Sequence, residues 1–159
     1  MNYADTNWLE SLYITPDPND SEAVSRRGTV ERFMRKQAGQ LATSHVVLLE
    51  ARNVFSRTTG EKHPREWADL EADFDGRLYV DPMNWDLLRR ECQALFARYA
   101  WKRPIGTFDA AIVAAAKLAG ATRFLSFDRT AEALARAEGM DVFPALDAVG
   151  RTLLRELKD

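Results

Sequence analysis

Four acidic residues stand where their neighbours give no ordinary reason for a charge: Asp5, Glu50, Asp109 and Asp128. Asp5 follows the short run Asn2-Tyr3-Ala4, and Asp128 follows Phe124-Leu125-Ser126-Phe127. Asp109 opens an alanine-rich run, while Glu50 has Val46, Val47, Asn53 and Val54 three and four residues away. A helix through Glu50 would therefore turn its carboxylate toward an apolar face. Burying that charge alone is costly, so it needs a partner, a proton or a cation. Gathered together, four carboxylates make an oxygen set suited to a hard ion such as Mg²⁺ or Mn²⁺. The chemistry then within reach is phosphodiester cleavage, because the ion acidifies a water and offsets charge on the phosphate oxygens. Of the four, Asp5 and Asp109 are the expected direct ligands of such an ion. Glu50 acts through water or orients the nucleophile, and Asp128 supports a second ion or the first ion's waters. Thr6, Asn7 and Ser126 are placed to hydrogen-bond these acids or the phosphate.

Each acid also has a plainer explanation. Asp5, Asp109 and Asp128 all suit helix N-caps, each contributing about 1 kcal/mol. Glu50 could pair with an arginine from another segment. Capping and ion binding are compatible, since one carboxylate oxygen can accept a backbone N–H while the other faces a metal.

The elements that must position these groups follow from periodicity and turn chemistry. Residues 2–5 read as a strand, 17–27 as a loop, and a helix follows with Val30, Phe33, Met34 and Leu41 on one stripe, ending near Gly39. Leu41-Ala42-Thr43 also suits a short strand, and Ser44 suits the N-cap of a helix to about Arg57. A turn at 58–62 leads to a helix from Pro64 through Leu70, then Asp75-Gly76 turns into a strand at 78–80. A helix carrying Trp85, Leu88, Cys92, Leu95, Phe96 and Tyr99 precedes a break at 102–106. The remainder reads as helix 110–118 closed by Gly120, strand 122–127, helix 129–138, strand 142–143 and a tail helix 146–157. Short strands alternating with helices imply a parallel sheet covered on both faces. In such a sheet, residues just past the strands gather at the edge where ligands bind.

In order and spacing the four acidic motifs resemble the PIN-domain family. Tyr3-Ala4-Asp5-Thr6-Asn7 is similar to its opening motif, and Thr43 through Glu50 to its second. Phe108-Asp109-Ala110 through Gly120 is similar to the third, and Phe124-Leu125-Ser126-Phe127-Asp128 to the fourth. The resemblance implies an α/β fold with a PIN-like three-layer α/β/α arrangement around a five-stranded parallel sheet. It places a PIN domain over 1–145, with 146–159 as a helical tail packed on the same domain. It also implies a Mg²⁺- or Mn²⁺-dependent endoribonuclease, similar to VapC-type toxins of toxin–antitoxin pairs. An RNA substrate, a cognate antitoxin and a homodimer follow as expected partners. Two features depart from the compact toxins: the helix after Phe143 and a proline-containing connection at 15–25.

Bulk properties narrow the classes. With 159 residues, 46% hydrophobic and 29% charged, the chain suits one soluble domain with a real core. A net charge of −2 excludes a general nucleic-acid coat but not an enzyme that grips phosphates locally. The single cysteine, Cys92, forms no internal disulfide, and the start has no basic flank and apolar stretch of a signal peptide. No apolar run approaches the roughly 20 residues of a membrane span. A cytoplasmic protein is expected.

For RNA contact, Arg52, Arg57, Lys62, His63 and Arg65 are candidates, though a solvated face is the commoner reason for such charges on a helix. Trp8 suits either base stacking or the core, while Trp67, Trp85 and Trp101 suit core or interface. Trp85, Phe96 and Tyr99 together could support a dimer. The rival readings are a PIN-fold binding module without catalysis, and another acidic-edge phosphotransfer domain. A receiver domain lacks its paired acids and its strand-end lysine here. No glycine-rich phosphate loop and no Gly-x-Ser-x-Gly elbow occur.

Overall fold

In the computed structural model, which describes residues 1–37 and 39–159, five strands form one parallel sheet in the order β3-β2-β1-β4-β5. The strands are β1 (Asn2–Ala4), β2 (Leu41–Ser44), β3 (Leu78–Asp81), β4 (Arg123–Leu125) and β5 (Asp141–Phe143). The chain starts at the centre, winds outward through β2 and β3, then crosses to the far side of β1 for β4 and β5. The carboxyl end of β1 is thus the topological switch point, where open α/β sheets bind ligands.

Helices α1 (Thr6–Tyr13), α2 (Ser21–Lys36), α3 (His45–Thr59) and α4 (Arg65–Ala72) precede β3. Then come α5 (Trp85–Leu95), α6 (Thr107–Leu118), α7 (Arg129–Ala137) and α8 (Ala148–Lys158). The expected α/β class with a five-stranded parallel sheet is therefore the observed one. Tyr3, Ala4, Phe124 and Leu125 of the inner strands are fully covered, as a sheet buried on both faces requires. Leu153 and Leu157 of α8 join the same hydrophobic cluster, and Lys102 donates to the Leu157 carbonyl at 3.0 Å.

Several boundaries differ from the sequence-based ones, each for a local reason. The expected loop at 17–27 is shorter, because α2 already begins at Ser21, capped by Asp20, which accepts from the Ala23 N–H at 3.1 Å. Its charged first half is laced by Arg26–Glu22 and Arg27–Glu31 pairs. Arg27 also donates to the carbonyls of Ser11, Leu12 and Ile14, closing the end of α1. α2 ends at Lys36 rather than at Gly39, and the expected helical reach over Ala38 lies outside the described residues. Leu41 belongs to β2, not to the α2 stripe. After α5 the helix widens into a π turn, Phe96–Ala100.

The tryptophans divide. Trp8 is fully buried, packed at 5.5 Å on Phe127 and edge-on to Phe33, so it is a core residue and offers no surface to a base. Trp85 and Trp101 are exposed at 60% and 76%, which excludes the core reading for both. Tyr99 is buried instead, and its hydroxyl donates to Glu138 at 2.6 Å.

Candidate active site at the carboxyl edge of β1

The sheet edge collects the four acids from four segments. Asp5 leaves β1 as the N-cap of α1, Asp128 leaves the β4 segment as the N-cap of α7, Glu50 lies in the second turn of α3, and Asp109 in the first turn of α6. Asp5 is buried and the other three are half-buried.

Asp5 is held at both oxygens. Oδ1 accepts from the Thr6 N–H at 2.7 Å, and Oδ2 accepts from the Ser126 hydroxyl at 2.7 Å. Ser126 Oγ in turn accepts from the Asp128 N–H at 3.0 Å, so one hydroxyl ties the ends of β1 and β4 together. Asn7 Oδ1 accepts from the Phe127 N–H at 2.9 Å and pins the same loop. Thr6 Oγ1 is buried without a partner among the described residues. Ser126 thus bonds Asp5 directly, Asn7 reaches the Ser126-Phe127 segment rather than an acid, and Thr6 contributes its backbone N–H.

The cap readings fare unequally. Asp5 and Asp128 are caps, and Asp128 accepts from the Ala131 N–H at 2.9 Å. Asp109 is not: the cap of α6 is Gly106, and no described group donates a hydrogen bond to the Asp109 carboxylate. The carboxylate instead lies back over Gly106, where an added Cβ would stand 3.1 Å from Asp109 Oδ2. Nor does Glu50 form a hydrogen bond or ion pair with any described residue, so the alternative of an arginine partner is not met among them.

Electrostatics bind the set together. Burial pushes the Asp5 carboxyl up to about 7; the Ser126 and Thr6 bonds pull it down, and the charges of Glu50 and Asp128 push it further up. Asp109 rises to about 6 through burial and then through Asp128 and Glu50, despite its place near a helix N-terminus. The charges named among the largest influences on these two carboxyls are acidic. Oxygen donors with surplus negative charge and no internal counter-cation fit a hard divalent ion. Among the described residues no three acids converge closely enough to cage an ion unaided. An ion that keeps several waters and takes one or two carboxylates suits that spacing.

One acid escaped the sequence reading. Glu132, one turn into α7 from Asp128, is only 6% exposed. Burial first, and then Asp128 and Asp147, raise its carboxyl to about 8. The signal was available, since Glu132 sits among Ala131, Ala133, Leu134 and Ala135, on a helix that buries them all.

The basic candidates are less coherent. Arg52 bonds Ser56 and the Lys62 carbonyl and lies 5.8 Å from the centre of the Trp67 ring. It lines a groove of about 820 Å³ with His45, Leu49 and Trp85, on a different flank of α3 from Glu50. Arg57 is exposed seven residues after Glu50, on nearly the same face.

The PIN domain family model matches residues 3–139, a span that contains all four acids. The chain belongs to the PIN-domain family. Solved structures share this PIN fold. VapC20 of Mycobacterium tuberculosis, a Sarcin-Ricin loop cleaving toxin, is 21% identical with a TM-score of 0.62, over 80% of this chain and 90% of that one. FitAcB from Neisseria gonorrhoeae is 18% identical with a TM-score of 0.59, over 90% and 96%. FitAB bound to an IR36 DNA fragment is 18% identical at 0.57, over 90% and 94%. At these identities the likeness is one of fold. No curated protein matches the chain in sequence. Helix α8 lies beyond the matched PIN span. No helix among the described residues is long and apolar enough to cross a membrane.

Proposed function

We propose that this PIN domain is an endoribonuclease that cleaves RNA phosphodiester bonds with Mg²⁺ or Mn²⁺ and serves as the toxin of a toxin–antitoxin pair. The observation that carries this reading is the crowding of acids at β1: burial first, and then the same two acids, Glu50 and Asp128, raise both Asp5 and Asp109. A fold gains no stability from such mutual repulsion, whereas a site that must attract a cation requires it.

Asp5 and Asp109 would hold the ion, with Glu50 and Asp128 reaching it through water. When bound, the ion supplies positive charge to the scissile phosphate and acidity to a water. Asp5 is the fixed member, because Ser126 and the Thr6 N–H prevent its carboxylate from rotating. Asp109 is the adjustable one, free of hydrogen bonds to described residues, and Glu50 orients the attacking water. Arg57 meets the RNA backbone near Glu50; Arg52 contributes only where RNA follows the groove at Trp85.

The toxin role draws on likeness to VapC20 and FitAB, and with it come a cognate antitoxin, a cytoplasmic setting and a homodimer. Leu49 and Trp85, exposed at 61% and 60%, offer apolar surface for self-association. We take residues 1–145 as the PIN domain and 146–159 as its appended helix.

The test is cleavage of purified tRNA and rRNA fragments with Mn²⁺, against EDTA and Asp109→Asn. Cuts abolished by both controls support the nuclease. Cuts that survive Asp109→Asn indicate a contaminant or another site. If nothing is cut and no metal binds, a non-catalytic binding module becomes the better account.

A further inference from the structure

Beside Asp128 a pocket of about 350 Å³ is lined by three acids, Glu22, Glu132 and Asp147, by Arg26 and Arg129, and by Phe127 with the apolar 144–146 segment. Its volume falls at the small end of the range for small-molecule clefts. Glu132 is 6% exposed and forms no hydrogen bond or ion pair with any described residue. The two arginines of the wall are already committed. Arg129 pairs with Asp147 at 2.8 Å and Arg26 with Glu22 at 2.7 Å. Nor do three acids converge there to hold a metal. A buried carboxyl left open to a pocket takes a proton or donors from outside, and the donors that would keep it ionised are neutral N–H groups or a cation.

The rest of the lining favours a base. Trp8 covers one face of Phe127 at 5.5 Å and the Arg26 guanidinium lies over the ring at 5.3 Å from its centre, so the plane this wall offers a base is the guanidinium, backed by Phe127. Unpaired RNA bases stack on such aromatic and guanidinium planes. Two of its lining residues, Phe127 and Arg129, flank Asp128 in the chain, which sets the pocket next to the acidic site.

We propose that this pocket receives an unpaired guanine next to the scissile phosphate, with Glu132 reading its Watson–Crick edge. Guanine alone among the four bases presents two adjacent donors, N1–H and N2–H, to the two oxygens of one carboxylate. Adenine and cytosine set a ring acceptor beside their amino group, and uracil sets its single N–H between two carbonyls. Glu132 is then the specificity-determining residue. The inference rests on reading the chain as an RNA nuclease.

Binding without cleavage tests it. Hexauridylates with one central guanosine, inosine, adenosine or cytidine, and the all-uridine strand, are titrated against the protein in EDTA by fluorescence anisotropy. The guanosine strand binds about tenfold more tightly than the adenosine, cytidine and all-uridine strands. Inosine, lacking the N2 amino group, falls between. Glu132→Gln, which offers one acceptor and one donor, loses the guanine preference with its melting temperature retained. Should that variant fail to fold, the inosine strand carries the test on the unaltered protein. Equal affinities, an adenine or cytosine preference, or a guanine preference that survives Glu132→Gln overturns the assignment. So does Glu132-dependent binding of an arginine-rich peptide without base preference, which would make the pocket a protein-docking point. The two readings fail separately. Guanine selectivity in a protein that cuts nothing removes the nuclease, and indiscriminate binding by one that cuts RNA removes only the pocket.

Discussion

The Ser126 hydroxyl donates to Asp5 Oδ2 at 2.7 Å while its oxygen accepts from the Asp128 N–H at 3.0 Å. A single side chain thereby fixes one acid and the backbone of another. Ser126→Ala leaves Asp5 Oδ2 buried and unbonded, which raises its carboxyl further and weakens ion binding. We expect a loss of about 10–100-fold in Mn²⁺ affinity or cleavage, with a destabilisation of about 1–3 kcal/mol. Calorimetric Mn²⁺ titration and urea denaturation measure the two. An unchanged Mn²⁺ affinity would mean that the hydroxyl merely fills the core.

Gly106 makes room for Asp109. Its φ of −67° and ψ of 140° suit any residue, so Gly106→Ala costs no backbone strain. The new Cβ would press on Asp109 Oδ2 from 3.1 Å and displace the carboxylate. Cleavage falls by about 10-fold or more, in keeping with the sensitivity of reactions to sub-ångström misplacement, while the melting temperature holds or rises slightly. Parallel rate and melting measurements decide; full activity would show that Asp109 can be moved freely.

The acidic edge also sets a pH dependence. Asp5 and Asp109 have folded pKa values of about 7 and about 6, against an ordinary 3.8. Because the folded state binds these protons more tightly, their contribution to stability is complete below the unfolded value. It is lost as pH rises through about 6 to 7. The metal-free protein therefore loses melting temperature over that window relative to Asp5→Asn, and Mn²⁺ restores it. Thermal scans in EDTA and in Mn²⁺ check this. Parallel curves for the two proteins in EDTA would remove Asp5 from the cause.

Much of this was legible in the sequence, and the rest failed for physical reasons. Strand–helix alternation gave the parallel sheet, and Asp5 and Asp128 were readable because each closes an apolar run. The start of α2 was hidden because its stability comes from charge pairs and from Arg27 bonding α1, neither of which shows as an apolar stripe. Asp109 reads as a metal ligand with a helix cap as the alternative, and the tertiary approach of Asp128 and Glu50 together with Gly106 at the cap sets the cap aside. Glu132 was missed because the pocket around it is built from α2 and the 144–147 segment, distant in the chain.

Away from the site, Glu138 joins three elements. It accepts from Arg98 at 2.6 Å, Tyr99 at 2.6 Å and Lys117 at 2.9 Å, with its side chain 5% exposed. Desolvation opposes the charge, but these three donors together hold its carboxyl below the ordinary value. That contribution is present above the unfolded pKa and lost as pH falls through the folded one. Glu138→Gln destabilises by about 1–3 kcal/mol, less than a fully buried pair because Arg98 and Lys117 are partly solvated. Cleavage per folded molecule stays unchanged. Denaturation at pH 7 and pH 4 should show the difference shrinking in acid; a constant difference would point to packing instead.

The central claim is that the negative charge gathered around Asp5 exists to be neutralised by a divalent ion. Its most direct test is titration of metal-free protein with Mn²⁺ at pH 6.5 to 7 in two buffers of different protonation enthalpy. Binding should be accompanied by proton release, since Asp5 and Asp109 are partly protonated in that range without metal. Asp5→Asn and Asp109→Asn should each abolish or severely weaken that binding. Mn²⁺ binding without proton release, or binding that survives both substitutions, would contradict the claim.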